Sequence, residues 1–142
     1  METKSIRDVF DEKNNLIKEY DNRKLLIRNK NSTLWNCVLV VKRDLAEVSE
    51  VNEEEAKEYF AIIKDVESAL KKAFDYDKIN YLTLMMVDEH VHTHILPRYK
   101  EEKIFAWMTW TDEWWPWPNT SVKDSPSQDV LDQVKQEILK NI

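Results

Sequence analysis

The chain has 142 residues, 42% hydrophobic and 34% charged, with 27 acidic against 21 basic side chains and a formal net charge of −6. That length fits a single domain, residues 1–142, whose core buries about 68–70% of the unfolded surface without covalent staples. The acidic balance argues against generic binding to nucleic acid or to an anionic membrane and leaves room for a local basic pocket. No apolar run approaches the ~20 residues of a membrane helix, and residues 1–11 are too charged for a secretory leader. The single Cys37 can form neither an internal disulfide nor a cysteine-based zinc site, so a cytoplasmic location is expected.

Glycine is absent, where an average usage of about 7% would give roughly ten. Every glycine-rich phosphate loop is thereby excluded. Left-handed turn and cap positions are expected to pass to Asp and to the ten asparagines, among them Asn22, Asn29, Asn31 and Asn36. Deliberate recoding and an AT-rich, glycine-poor genome are two sources of such a composition.

In chain order, residues 5–20 place Ile6, Val9, Phe10, Leu16, Ile17 and Tyr20 on one helical face, which predicts a helix. Residues 24–28 and 35–42 (WNCVLVVK) are apolar runs divided by polar NKNST, a strand–turn–strand pattern. Asn52 and Glu55 form a capping-box pair ahead of Ala56, Tyr59, Phe60, Ile63, Val66, Leu70 and Phe74, which keep the 3.6-residue period. Residues 77–87 (with KINYLTLMMV) are apolar on both alternating faces and predict a central strand, with Met85 and Met86 in the core. HVHTHILPRY alternates as a further strand over residues 90–98. A Trp/Pro-rich tail spans 104–120. Ser125, Pro126 and Gln128 then give the cap, first-turn proline and capping-box glutamine of a final helix over about 126–141. The order α-β-β-α-β-β-α predicts an α+β fold with an antiparallel sheet.

All three histidines, His90, His92 and His94, fall within five residues. Alternation along a strand projects them from one face, with Val91, Thr93 and Ile95 on the other. Three such residues span about 13 Å, too far for one metal ion to bind all three, although two could serve a metal module. The other chemistry open to them is a nucleophilic imidazole flanked by two that orient it and neutralise an anion, which suits a phosphoryl or nucleotidyl centre.

HVHTHILPR resembles the signature of the histidine triad family, three histidines separated by single, usually hydrophobic residues and followed by two hydrophobics; Thr93 is a mild departure. The likeness extends from Asn22 to Arg98 through the CVLVVKR strand and the capped helix, and the WPWP run is similar to the tail of some prokaryotic members akin to diadenosine tetraphosphate hydrolases. It implies a histidine-triad fold with an antiparallel sheet of about five strands, and hydrolase or transferase action at the α-phosphate of dinucleoside polyphosphates or nucleoside phosphoramidates. His92 would be the nucleophile, forming a nucleotidyl-histidine, with His90 and His94 orienting it and binding phosphate. Asn29, eight residues before Cys37, falls at the family's ribose-binding position. Arg98 is a candidate for phosphate, and Trp107 and Trp110 for base or rim contacts. The resemblance further implies a homodimer acting on a nucleotide substrate, with no protein-bound metal or other required cofactor and a divalent cation arriving, if at all, with the substrate.

Two departures weigh towards a weakened enzyme, a nucleotide-binding or scaffold protein. Asn36-Cys37 replaces the family's glycine–histidine, and Val87, Asp88 and Glu89 stand where a Gly-rich phosphate-contacting loop is usual. Asp88 or Glu89 is a candidate to hold an imidazole. The tryptophans at 107, 110, 114, 115 and 117 are too many for a solvated loop, so the tail is expected to pack on the core, a dimer partner or the site rim.

Overall fold

The computed structural model describes residues 5, 9–120, 123 and 126–142. A short helix α1 (Glu12–Asn15) leads into strands β1 (Leu16–Glu19), β2 (Arg23–Ile27) and β3 (Cys37–Val41). A 3-10 turn (Val48–Glu50) and helix α2 (Glu53–Phe74) precede β4 (Lys78–Leu82) and β5 (His92–Arg98). The hairpin β6 (Lys103–Phe105) and β7 (Met108–Trp110) and the final helix α3 (Gln128–Asn141) complete the chain. The five main strands form one antiparallel sheet in the order β1-β2-β3-β5-β4, so the α+β expectation and the strand count both hold.

The sheet has two unlike faces because each strand alternates. Leu25, Ile27, Cys37, Leu39 and Ile95 point to one side and are covered by α2 and α3, through Ile62, Val66, Leu70, Leu131, Val134 and Ile138. Leu26, Val38 and Val40 point to the other, where Phe10 lies over them. Register sets Val38 beside His94 and Val40 beside His92.

Helix α2 starts where the capping box puts it. The Asn52 side chain accepts from the Glu55 amide at 2.9 Å and Glu55 Oε1 accepts from the Asn52 amide at 3.0 Å. Glu55 is itself buried and takes the Arg43 guanidinium at 2.7 Å, which holds its carboxyl below the usual range.

Several expectations are corrected. Residues 16–19, expected as the end of a helix, form β1, because pairing with β2 satisfies their backbone and buries Ile17; Ile6 lies outside the described residues. β4 is an edge strand and stops at Leu82, while β3 takes the centre. Beyond it Leu84, Met86 and Val87 are exposed, so Met86 is not in the core. The final helix is capped at Ser127, whose side chain makes no capping hydrogen bond; Ser125 lies outside the described residues. Among the described residues no asparagine takes a left-handed conformation. Asp11 and Asp75 do, along with Met85, Ala106 and Trp107. Ala106-Trp107 form the two-residue turn between β6 and β7, a geometry that Asn-Gly usually fills.

The tail is tied down by a buried ion pair. Arg98 donates to Asp112 through Nε at 2.6 Å and Nη2 at 3.1 Å, to Asn80 Oδ1 at 2.8 Å and to the Trp117 carbonyl at 2.6 Å. Asp112 also accepts from the amides of Tyr99 and Trp114, each at 3.3 Å. Removing one member of such a pair strands a buried charge, at a cost of about 3–5 kcal/mol. Asp112→Ala should therefore lower the unfolding free energy by about that amount in urea titration; a loss under 1 kcal/mol would show that the pair is dispensable.

Candidate active site

The histidine face is built on β5. His92 and His94 point to the same side, their ring centroids 5.0 Å apart and nearly perpendicular, and Phe10 lies 5.7 Å from each. His90 precedes the strand. Its Nε2 donates to the Val41 carbonyl at 2.6 Å, which holds the ring against β3. Its own carbonyl accepts from His92 Nδ1 at 2.6 Å. A carbonyl only accepts, so His92 carries its proton on Nδ1 and leaves the lone pair of Nε2 for chemistry. Asp44 lies 3.6 Å from His90 Nδ1; among the described residues neither Asp88 nor Glu89 hydrogen-bonds an imidazole, although the Asp88 charge acts on His92. Asp44 follows the β3 strand end, a position that carried no sequence signal.

Both inner histidines are kept neutral. Burial, more than any neighbouring charge, lowers the pKa of His92. Burial, then Arg28 and His92, push His94 down to about 3. The Nδ1 atom of His94 is buried and has no hydrogen-bond partner. Next to His94 lies a small cleft lined also by Arg28, Asn36, Leu82, Leu96 and Asn119.

The other expected site residues fare unevenly. Asn29 sits at a bend after β2, next to Arg28, partly buried and with no side-chain hydrogen bond to the described residues. Arg98 shares the histidine face by parity, but its guanidinium is spent on Asp112, Asn80 and the Trp117 carbonyl, so it is a strut and not a phosphate contact. Trp110 packs edge-on against Trp35 at 5.2 Å in the helix-side core, and Trp107 is 98% exposed at the hairpin tip. Phe105 of the same hairpin meets Phe74 at the end of α2. The hairpin thus packs on the sheet face opposite the histidines, and neither tryptophan reaches the rim. Packing of the tail is partial, since Trp114 and Trp117 are also exposed. The tail meets the cleft instead through Asn119 and Thr120.

At the start of β3, Cys37 faces the helix-side core, and burial raises its thiol pKa to about 12. Asn36, one residue earlier, lines the cleft and is fixed by the loop before it. Its amide donates to Asn31 Oδ1 at 2.7 Å and its Nδ2 to Ser32 Oγ at 3.0 Å. Lys42 and Arg43 pair with Glu19 and Glu55. No group of three or more His, Cys, Asp or Glu that could hold a metal ion is found among the described residues. None of the described helices is long and apolar enough to cross a membrane.

A sheet whose inner strand presents paired imidazoles, with a third histidine feeding its carbonyl to the second, defines a histidine triad architecture. The HIT domain model matches residues 10–101, well over half the chain, and the protein belongs to that family. Among solved structures it is similar to a histidine triad protein from Sinorhizobium meliloti 1021, at 21% identity, 92% coverage of each chain and a TM-score of 0.74. It is also similar to a histidine triad protein from Marinobacter aquaeolei VT8, at 19% identity, 88% coverage of each chain and a TM-score of 0.70. A third is a hypothetical histidine triad nucleotide-binding protein from Sulfolobus tokodaii strain 7, at 16% identity, 89% coverage of this chain, 81% of that one and a TM-score of 0.70. No curated protein matches. At these identities the likeness is one of fold.

The depressed histidines link stability to pH. The folded state resists protonation that the unfolded chain accepts below about 6.5, so their stabilising effect is full above that pH and is lost as pH falls. Over pH 6.5–4.5, before most carboxylates titrate, His94 alone should account for a loss of about 2 kcal/mol. Urea titrations across that window should show the slope in the parent protein and a clear flattening in His94→Gln; equal slopes would mean that His94 is solvated.

Proposed function

We propose that the protein is a nucleotidyl hydrolase or transferase acting at the α-phosphate of dinucleoside polyphosphates or nucleoside phosphoramidates. The observation that carries this is the hydrogen bond from His92 Nδ1 to the His90 carbonyl, which frees Nε2 as the nucleophile. In the first step the Nε2 lone pair bonds to phosphorus, while the bond from phosphorus to the bridging oxygen or nitrogen breaks and its electron pair leaves with that group. The leaving group takes a proton from solvent or from a neighbouring imidazole. In the second step water, losing a proton, bonds to phosphorus and the phosphorus–nitrogen bond returns its pair to Nε2. Burial supports the scheme, because a neutral imidazole is a nucleophile and an imidazolium is not.

His94 contributes a second imidazole beside the reacting phosphorus, and His90 acts through its carbonyl. Asn29 is assigned to the ribose, on its place next to the cleft residue Arg28. No described strand pairs with the outer edge of β4, and Phe60 and Leu84 are exposed. A two-fold dimer that covers them fits the proposal.

Incubation with a dinucleoside tetraphosphate or an AMP phosphoramidate, followed by quenching and peptide mass spectrometry, should trap a nucleotide on His92. His92→Ala should lower turnover on the order of 10³-fold or more while the protein stays folded. Thr93→Val, on the opposite strand face beside Thr83, should be mild. Full activity in His92→Ala with no adduct would sink the mechanism. Asn29→Ala should weaken AMP binding while leaving inorganic phosphate binding unchanged; an equal effect on both would leave Asn29 as a bend residue.

A further inference from the structure

The side chain of Arg28 is an unspent cation inside the cleft. Parity along β2 carries residues 24, 26 and 28 to the histidine face, and the backbone locks the last of these in place. The Arg28 amide donates to the Asn36 carbonyl at 2.9 Å, and the Arg28 carbonyl accepts from Trp35 Nε1 at 2.7 Å. Its guanidinium is partly buried and lines the cleft with His94, Asn36 and Asn119. It forms no hydrogen bond or ion pair with any described residue, and its Nε is fully buried without a partner. Phe10 lies 6.0 Å from the guanidinium carbon and walls the same histidines.

Buried donors are normally satisfied, and a desolvated cation without a counter-ion is costly. Other arginines have bonded partners: Arg43 pairs with Glu55, Arg98 with Asp112, and Arg23, whose Nε is also unpartnered, donates through Nη2 to the Glu55 carbonyl. Beside Arg28, the Nδ1 of His94 is likewise buried and unpartnered. Arg28 and His94 both line one small cleft, and an anion bound there would pair the guanidinium charge that the described residues leave without a bond. A planar guanidinium can hold two oxygens of a phosphate at once.

On the basis of the nucleotidyl chemistry above, we infer that Arg28, with His94, forms the seat for the non-bridging oxygens of the substrate's α-phosphate. The seat replaces the Gly-rich phosphate loop that this chain lacks. Burial is the main cause of the low His94 pKa, and the Arg28 charge, without any direct bond to the ring, adds to it. The carboxylate whose field opposes it is Asp88, which acts on Arg28 and on His92 but makes no ion pair with the guanidinium. A bound phosphate would find its positive partner at Arg28, on the His94 side of the cleft.

The test compares AMP with adenosine by calorimetry, so it needs no turnover. The parent should bind AMP more tightly than adenosine, and Arg28→Met should shrink that ratio at least tenfold while adenosine affinity is kept. Arg28→Lys should restore part of the ratio. Folding is checked by circular dichroism, and the Arg28 side chain bonds to nothing whose loss would unfold the protein. In the same variant, NMR titration should find His94 protonating at higher pH than in the parent. An unchanged ratio or an unmoved His94 titration would each overturn the assignment. If neither nucleoside compound binds, the nucleotide proposal fails by itself and inorganic phosphate decides the seat. A phosphate-induced shift of the His94 ring nitrogens that disappears in Arg28→Met supports it; no shift, or one that survives, overturns it.

Discussion

Strand β5 must satisfy two incompatible surroundings at once, and much of the molecule is arranged around that demand. One side of the strand carries Ile95 and Tyr99 into the helix-covered core, and the other carries His92 and His94 to the cleft. Its neighbours β3 and β4 hold its backbone on both edges, so the two sets of side chains cannot exchange faces without breaking both ladders. The far end is pinned by Arg98, and the near end by Val91, whose amide bonds to Leu45. A strand clamped in this way presents two imidazoles at a fixed separation without any loop having to close.

The electrostatics follow from the same clamp. A ring held under Phe10 against Val38 and Val40 is desolvated, and desolvation removes charge from imidazole. His92 gains a defined tautomer from a backbone carbonyl, so its orientation costs no additional charged group. Among the described residues that line the cleft, the full positive charge belongs to Arg28, two strands away, which acts on the His94 ring without a hydrogen bond to it. Neutral nucleophile and separated cation are complementary needs of attack on an anionic phosphorus centre.

The glycine-free composition is absorbed in the turns and leaves the sheet unaltered. Asp11 and Asp75 take left-handed positions at helix ends, as their short polar side chains permit. Ala106 and Trp107 accept the same geometry at a hairpin tip at an expense of roughly 1 kcal/mol each. Docking of Phe105 on Phe74 and of Trp110 on Trp35 stabilises the hairpin that imposes it. The asparagines stay out of these positions because tertiary bonds use them elsewhere: Asn31 and Asn36 close the loop before β3, and Asn52 caps α2.

What could be known from the sequence was what depends on short-range periodicity. The histidine spacing, the Asn52–Glu55 capping box and the paired runs of β2 and β3 each require only neighbouring residues, so α2, the triad strand and the family were legible. Residues 16–19 were not, since an apolar spacing compatible with a helix becomes a strand only when β2 supplies its hydrogen bonds. Residues 78–82 read as central because both faces are apolar, yet a strand's rank in a sheet is set by which strands pair with it. The site divides in the same way. His92 and His94 were visible from alternation, whereas the spent charge of Arg98 and the unspent one of Arg28 look alike in sequence. Tertiary structure separates them, because Asp112 returns from fourteen residues downstream to neutralise Arg98 and no described carboxylate bonds to Arg28. Local pattern fixes which way a side chain points, and only the packed chain determines what it meets there.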